Sequence, residues 1–311
     1  MAIMRSAILK ASRSPAAQRL IVASPGTRSI VKRFVAGEAP DDAVAAARAL
    51  IDNGLRVSVD HLGEDTRDRA DAVAMRDSCV GVLAALHAAG LTDRAEVSVK
   101  LSALGQALGP DGNKIALDYA REVCAAAAAA GTTVTIDMED HTTTDATLEV
   151  VRDLRADFPR VGAVLQAYLH RTEGDCADLS GPGSRVRLCK GAYSEPGSVA
   201  YQDAAEVDRS YVRCLKTLMS GQGHPMVATH DPRLITIAGD LAAQHDRGPE
   251  EFEYQMLHGV RPDEQLRLAG TGATVRVYVP FGAQWYGYLM RRLAERPANV
   301  AFFARAVLTR S

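Results

Sequence analysis

The stretch Arg56–Leu101, RVSVDHLGEDTRDRADAVAMRDSCVGVLAALHAAGLTDRAEVSVKL, decides the fold. It opens on a short β-like run, Arg56–Val59, with Asp60 and His61 at its end. It then passes through a long helical segment, Asp68–Ala89, and returns to a second run, Glu96–Leu101. Strands that alternate with helices of this length imply a parallel sheet with helical crossovers. The unit recurs down the chain. Further runs are Thr133–Met138, Ala163–Leu169, Arg185–Leu188, Met226–Ala228, Phe252–Leu257 and Thr274–Val279. Between them lie segments such as Asn113–Ala130 and Thr142–Asp157, and Asp41–Asn53 precedes the first. Eight units in about 255 residues predict a closed (βα)8 barrel rather than an open sheet. The alanine-rich Cys124–Ala130, followed by Gly131, reads as the end of a core helix with its glycine cap.

Composition agrees with one large domain, 1–311, since the 311 residues are 47% hydrophobic and show no linker or repeat. Lys and Arg number 36 against 38 Asp and Glu, so no general basic field invites nucleic acid. Five scattered cysteines without a CxxC pair read as a reducing cytoplasm. No apolar run approaches the roughly 20 residues of a membrane span. The N-terminal arm, 1–40, is distinctive: it carries Arg5, Lys10, Arg13, Arg19, Arg28, Lys32 and Arg33, with no acidic residue before Glu38. Such a segment suits a solvated helical arm, a peripheral contact with an anionic membrane surface, or a targeting segment.

The strand ends are polar: Asp60, Lys100, Asp137 with Glu139, Gln166 with Tyr168, Arg187 with Lys190, Thr229 with His230, Gln255 with His258, and Tyr278. In a (βα)8 barrel these ends share one face, where active sites are assembled. Some polarity is trivial, because loops begin there. But Lys100, Asp137, Gln166, Arg187 and Gln255 sit within or beside apolar runs, where a polar group needs a partner or a ligand.

The same strand ends carry motifs: VSVKLSALG (Val97–Gly105), TIDMED (Thr135–Asp140), LQAYLHRT (Leu165–Thr172), VRLCKGAYSEP (Val186–Pro196), ATHD (Ala228–Asp231), FEYQMLHGV (Phe252–Val260) and VYVPFGAQWYGYLMRRLAERPANVAFF (Val277–Phe303). In this order they resemble the proline dehydrogenase family, from about Arg56 to Phe303. The resemblance implies a distorted barrel with extra N-terminal helices, FAD as cofactor, L-proline as substrate and a quinone as electron acceptor. The chain is too short to add an aldehyde dehydrogenase domain and looks like the monofunctional form.

The resemblance also distributes roles. Asp137 and Arg187 become the catalytic pair, with Arg187 against the flavin N5 edge, where a positive charge favours the reduced flavin. Lys100, Tyr193, Leu257, Tyr278 and Tyr288 surround the substrate ring, and Arg291 and Arg292 take its carboxylate with their forked donors. These arginines lie on a predicted helix, Gln284–Glu295, that the family places over the barrel mouth. Met138, Gln166, Lys190, Gly191, Ala192, Thr229, His230, Gln255 and Glu295 fall to the cofactor, with Glu295 also able to hold a guanidinium. Taken singly, each has a plainer reading: Lys100 as a structural ion pair, the Arg-Arg-x-x-Glu helix as a solvated surface, the tyrosines as core. One position departs from the family, which usually has Asn where Asp231 stands, and a carboxylate is less welcome beside a phosphate. No GxGxxG follows the first strand, so a dinucleotide-binding Rossmann fold is not expected. Two other functions fit a polar barrel mouth. One is a metal-dependent hydrolase using Asp60, His61, Lys100, His170, His230, Asp231 and His258. The other is a non-catalytic amino-acid sensor.

Overall fold

The computed structural model describes residues 31–295, with side chains described through Met290. Eight parallel strands close into a barrel in chain order, β1 (Arg56–His61), β2 (Ala95–Val99), β3 (Val134–Ile136), β4 (Gly162–Gln166), β5 (Arg185–Cys189), β6 (His224–Ala228), β7 (Glu253–Leu257) and β8 (Val275–Phe281). Closure is made by β1 against β8, in a register running from Arg56 opposite Arg276 to His61 opposite Phe281. The predicted strands are all present. β4 ends three residues earlier than expected, because the Leu169 amide turns back onto the Gln166 carbonyl, which also accepts from the Thr172 hydroxyl.

Helix α1 (Pro40–Asp52) precedes the barrel. Then α2 (Arg69–Ala88), α3 (Gly112–Ala129), α4 (Thr144–Asp157), α5 (Thr172–Asp178), α6 (Ala204–Ser220), α7 (Pro232–Gln244) and α8 (Pro262–Gly270) follow β1 to β7, and α9 (Trp285–Glu295) follows β8. Their starts are written locally. Asp68, Asp203 and Asp231 cap α2, α6 and α7 by accepting backbone N–H bonds, and Pro40, Pro232 and Pro262 occupy first turns whose N–H groups lack partners. Gly131 has φ 78° just past α3, as its capping role requires.

Two features distinguish this barrel. First, α1 packs on β1 and β8, the outer slot that a helix following β8 would otherwise fill. That leaves α9 free. Its Trp285, Tyr286, Tyr288, Leu289 and Met290 bury against Phe34, Val35 and Leu62, with Val260 beside them, so it sits by the loops after β1 and β7 at the C-terminal end of the barrel. Residues 31–34 are helical, and the rest of the expected N-terminal helices lies outside the described residues.

Second, the two faces of the strands differ. Outward residues such as Val57, Val59, Val97, Val99, Ile136, Leu165, Leu188, Val277 and Val279 pack on the helices, meeting Leu83 and Leu86 of α2 and Tyr211 and Leu215 of α6. Each fully buried aliphatic chain here contributes roughly 1.5–3 kcal/mol. The alternate residues are polar and buried: Ser58 and Asp60, Glu96 and Ser98, Thr135 and Asp137, Arg185 and Arg187, Glu253 and Gln255, with Arg276. Because side chains alternate along a strand, all of these enter the lumen.

Candidate active site

Inside the lumen the charges form two tiers. Toward the N-terminal strand ends, Arg185 contacts Glu96 at 2.6 Å, and Arg276 grips Glu253 through two bonds of 2.7 and 3.0 Å. Arg276 also lies 3.7 Å from Glu96 and donates to the Val57 carbonyl. Burial alone would push both carboxyls up. The arginines outweigh it, with Arg185 and Arg276 acting on Glu96 and chiefly Arg276 on Glu253, and hold both below the usual carboxylate range.

The upper tier stands at the C-terminal strand ends. Arg187 of β5 donates to Asp137 at 2.6 Å, and the Tyr278 hydroxyl of β8 donates to the other Asp137 oxygen at 2.8 Å. Lys100, just past β2, bonds Asp60 of β1 at 2.8 Å and lies 3.6 Å from Asp137. The Arg187 guanidinium lies 5.3 Å from the Tyr278 ring centre. Burial opposes the Lys100 charge, but the Asp60 and Asp137 carboxylates outweigh it and hold the ammonium above its ordinary value. Burial, reinforced by Asp137 and Asp60, keeps the Tyr278 phenol protonated far into alkali.

Strands β1, β2, β3, β5 and β8 thus bring Lys100, Asp137, Arg187 and Tyr278 together, with Asp60 as a member the sequence reading left outside the site. Nearby, Gln166 donates to the Glu139 carbonyl at 2.7 Å, and Glu139 is held by the Ser102 hydroxyl and amide. Met138 is buried, while Tyr193, Leu257 and Ala192 are partly exposed at the mouth. Tyr288 is buried in the cluster that joins α9 to Phe34, Val35 and Leu62. Arg291, Arg292 and Glu295 lie on α9 with side chains outside the described residues.

Three placements sharpen or change the expectations. Gln255 was expected with the far half of the cofactor, beside Thr229 and His230. Its carbonyl does accept the Thr229 amide at 3.2 Å, but its side chain points into the lumen, accepting from Arg187 and donating to Glu253. Gly191 was expected to permit close approach of the cofactor. Its φ of 112° and the Tyr168 ring, which any Cβ would strike, already require glycine. Asp231 was a doubtful carboxylate. It caps α7 through the Arg233 amide and meets the Arg233 side chain at 2.6 Å and Lys190 at 3.3 Å. Chiefly through Arg233, its carboxyl is held well below the usual range. Lys190 is gripped more closely by Asp208, at 2.5 Å. His230 accepts the Leu257 amide at 2.9 Å, tying the loop after β6 to the end of β7.

The hydrolase ligand set does not gather. Asp60 pairs with Lys100, His61 stacks on Phe281 at 4.7 Å, and His170 meets Tyr201 edge-on at 4.5 Å. Among the described residues no group of three or more His, Cys, Asp or Glu could hold a metal ion.

A family model described as proline dehydrogenase matches residues 43–305. The chain belongs to the proline dehydrogenase family. A proline dehydrogenase of Deinococcus radiodurans is 40% identical over 98% of each chain, and proline dehydrogenase 1 of Bacillus subtilis is 36% identical over 91% of this chain and 92% of its own. The bifunctional protein PutA of Escherichia coli is 29% identical over 89% of this chain, which spans 24% of that longer protein. A crystal structure of proline utilization A from Bdellovibrio bacteriovorus, inactivated by N-propargylglycine, superposes with a TM-score of 0.80 at 26% identity. The match covers 90% of this chain and 34% of that one. Asp60 and the lower-tier residues Glu96, Arg185, Glu253 and Arg276, which the sequence reading did not single out as site residues, share a signal. A parallel barrel strand, buried on both faces, should read as a near-continuous apolar run, yet RVSVD, EVSVK, TID, RVR, EYQ and RVY alternate strictly.

Proposed function

We propose that this chain oxidises L-proline to Δ1-pyrroline-5-carboxylate with a bound FAD and passes the electrons to a quinone. Family membership carries proline dehydrogenase activity, the first step of proline catabolism. The observation that supports the finer reading is the upper tier itself: a paired acid and guanidinium, Asp137 and Arg187, at the catalytic end of the barrel.

The donor set suits a flavin. Arg187 has five N–H groups. Its bonds to Gln255, Asp137, Ser58 and Ser98 use four and leave one on Nη1, the nitrogen that also holds Asp137. Gln166, Lys190, the Gly191–Ala192 backbone, Met138, Thr229, His230 and Glu295 are the further cofactor positions the resemblance gives. Bound FAD would supply an acceptor for the hydride that leaves proline C5. The chain's own residues bind and orient. Both upper-tier cations are already matched by carboxylates: Lys100 by Asp60, and Arg187 by Asp137. The substrate carboxylate therefore calls for further positive charge, which Arg291 and Arg292 on α9 would provide. Tyr193, Leu257, Tyr278 and Tyr288 would enclose the ring and keep water from the reacting carbon. Because Lys100 is held protonated, it serves as an electrostatic group rather than as the base that takes the amine proton.

No helix among the described residues is long and apolar enough to cross a membrane. Delivery to a quinone would then involve peripheral membrane contact, for which the basic N-terminal arm is the candidate. Purified protein should show flavin absorbance that bleaches when L-proline is added without oxygen. Absence of flavin, or absorbance unmoved by proline, would sink the proposal.

A further inference from the structure

We propose that Gln255 is a positioning residue for Arg187, and that Glu253 sets the direction in which it works. Glu253 is fully buried, accepts two bonds from Arg276 and a third from the Gln255 Nε2 at 2.5 Å. A carboxylate surrounded in this way accepts and cannot donate. The Gln255 amide therefore has one allowed orientation: nitrogen toward Glu253, oxygen toward Arg187. That oxygen accepts the Arg187 Nε–H. Ser58 and Ser98 receive Nη2 at 3.3 and 3.0 Å, so β1, β2 and β7 together pin the guanidinium. The result is that Nη1 alone points to Asp137, with its second N–H left over for a bound group. Without the Gln255 oxygen, Nε loses its acceptor, and the buried guanidinium must turn to recover one. Glu96, 3.9 Å from Nη2, is the nearest carboxylate below. That turn takes Nη1 away from Asp137.

The inference rests on the reading of Arg187 as the group beside the flavin, and the test separates the two. The wild-type enzyme is first shown to bind flavin and to bleach with L-proline; failure there removes the functional reading. The crystal structure of the Gln255→Met variant then reads the geometry without reference to activity. Methionine keeps the side chain's length and volume but offers no comparable acceptor. The Arg187–Asp137 contact should open in Gln255→Met, kcat should fall roughly 10- to 100-fold, and KM for proline should move less than about twofold, since a misplaced group of this kind costs rate. The midpoint potential of the bound flavin should fall, because a cation that stabilises its reduced form has moved away. Gln255→Glu, protonated on the oxygen that meets Glu253, keeps both an acceptor facing Arg187 and a donor to Glu253, and should recover most of the kcat where that proton is retained. Gln255→Asn keeps an amide that stops one methylene short of Arg187; it should show the same losses, and stands in if the Met variant does not fold. An Arg187–Asp137 contact unchanged in Gln255→Met, or a flavin potential and kcat equal to wild type in either shortened or apolar variant, would overturn the proposal.

Discussion

The two tiers of the lumen are built by the same alternation and carry the same charges, two carboxylates against two cations, yet they are bound differently. In the lower tier Glu96, Arg185, Glu253 and Arg276 close on one another and on the backbone. In the upper tier Asp60, Lys100, Asp137 and Arg187 pair across the strand ends, and Arg187 keeps a donor uncommitted. Barrel interiors are ordinarily filled by branched apolar chains, and a buried ion pair is weak grounds for stability, because desolvation offsets its attraction. The charged floor is therefore better explained by what stands on it. Arg187 is held by Gln255 and, through it, by Glu253 of the floor, which an apolar floor would not provide.

The largest expected effect lies in the floor. Glu253→Gln leaves Arg276 buried with half its countercharge, and breaking a buried pair in this way costs about 3–5 kcal/mol. Denaturant unfolding should show it. Replacing both partners, as in Glu253→Leu with Arg276→Met, should recover most of the loss. A single variant as stable as wild type would mean that the floor is not a closed unit. Acid gives an independent reading. Glu96 and Glu253 are held below their ordinary value of 4.5, so the stability they confer is complete above that pH and lost as the pH falls beneath it. In Glu253→Gln that acid-sensitive component should shrink.

The upper tier should yield differently. Lys100→Met removes the partner of Asp60, but burial already pushes the Asp60 carboxyl above its ordinary 3.8, so it can take up a proton instead of remaining a bare charge. The stability cost at pH 7 should be about 1–3 kcal/mol, below that of Glu253→Gln, while kcat/KM for proline falls roughly 100-fold. A raised carboxyl pKa adds stability as the pH drops, so the gap from wild type should narrow between pH 7 and 5. At the alkaline end the gap narrows as well. The wild-type Lys100 contribution is complete below 10.5 and lost as the pH rises through its higher folded value, and the variant should lack that loss. A stability loss as large as that of the floor variant would erase the distinction between the tiers.

How much of this was legible in the sequence follows from the same contrast. The barrel was, because strand and helix runs alternate over nearly the whole chain and each strand's outward face is apolar. Lys100, Asp137, Arg187 and Tyr278 were, because they stand at strand ends. Asp60 was seen at a strand end but not joined to the site, since its partner Lys100 lies 40 residues on and only the parallel pairing of β1 with β2 brings them to 2.8 Å. The floor was missed although its residues alternate plainly. Glu96, Arg185, Glu253 and Arg276 lie toward the starts of their strands, where polarity passes for the edge of a loop. The direction of the Gln255 side chain was not legible, because a residue's neighbours along β7 say nothing of what faces it across the lumen.

The smallest expected effect tests the edge of the upper tier. The resemblance leads one to expect Asn where Asp231 stands. In the structure it is an α7 cap whose charge is met by Arg233 and Lys190. Asparagine caps a helix about as well as aspartate, and the Arg233 partner is exposed at 70%, so its ion pair is screened by water. Asp231→Asn should therefore change stability by less than about 0.5 kcal/mol at pH 7. The Asp231 carboxyl is held below its ordinary 3.8, so whatever it contributes is present above that value, and any difference from the variant should fade as the pH falls beneath it. Lys190 keeps Asp208 at 2.5 Å in either protein, so its ammonium should stay in place. Flavin affinity, measured by release on dilution, should then shift less than about threefold, the size expected for one screened surface charge. A tenfold gain in affinity would show that the carboxylate repels the cofactor despite its two partners, and the upper tier would then extend as far as α7.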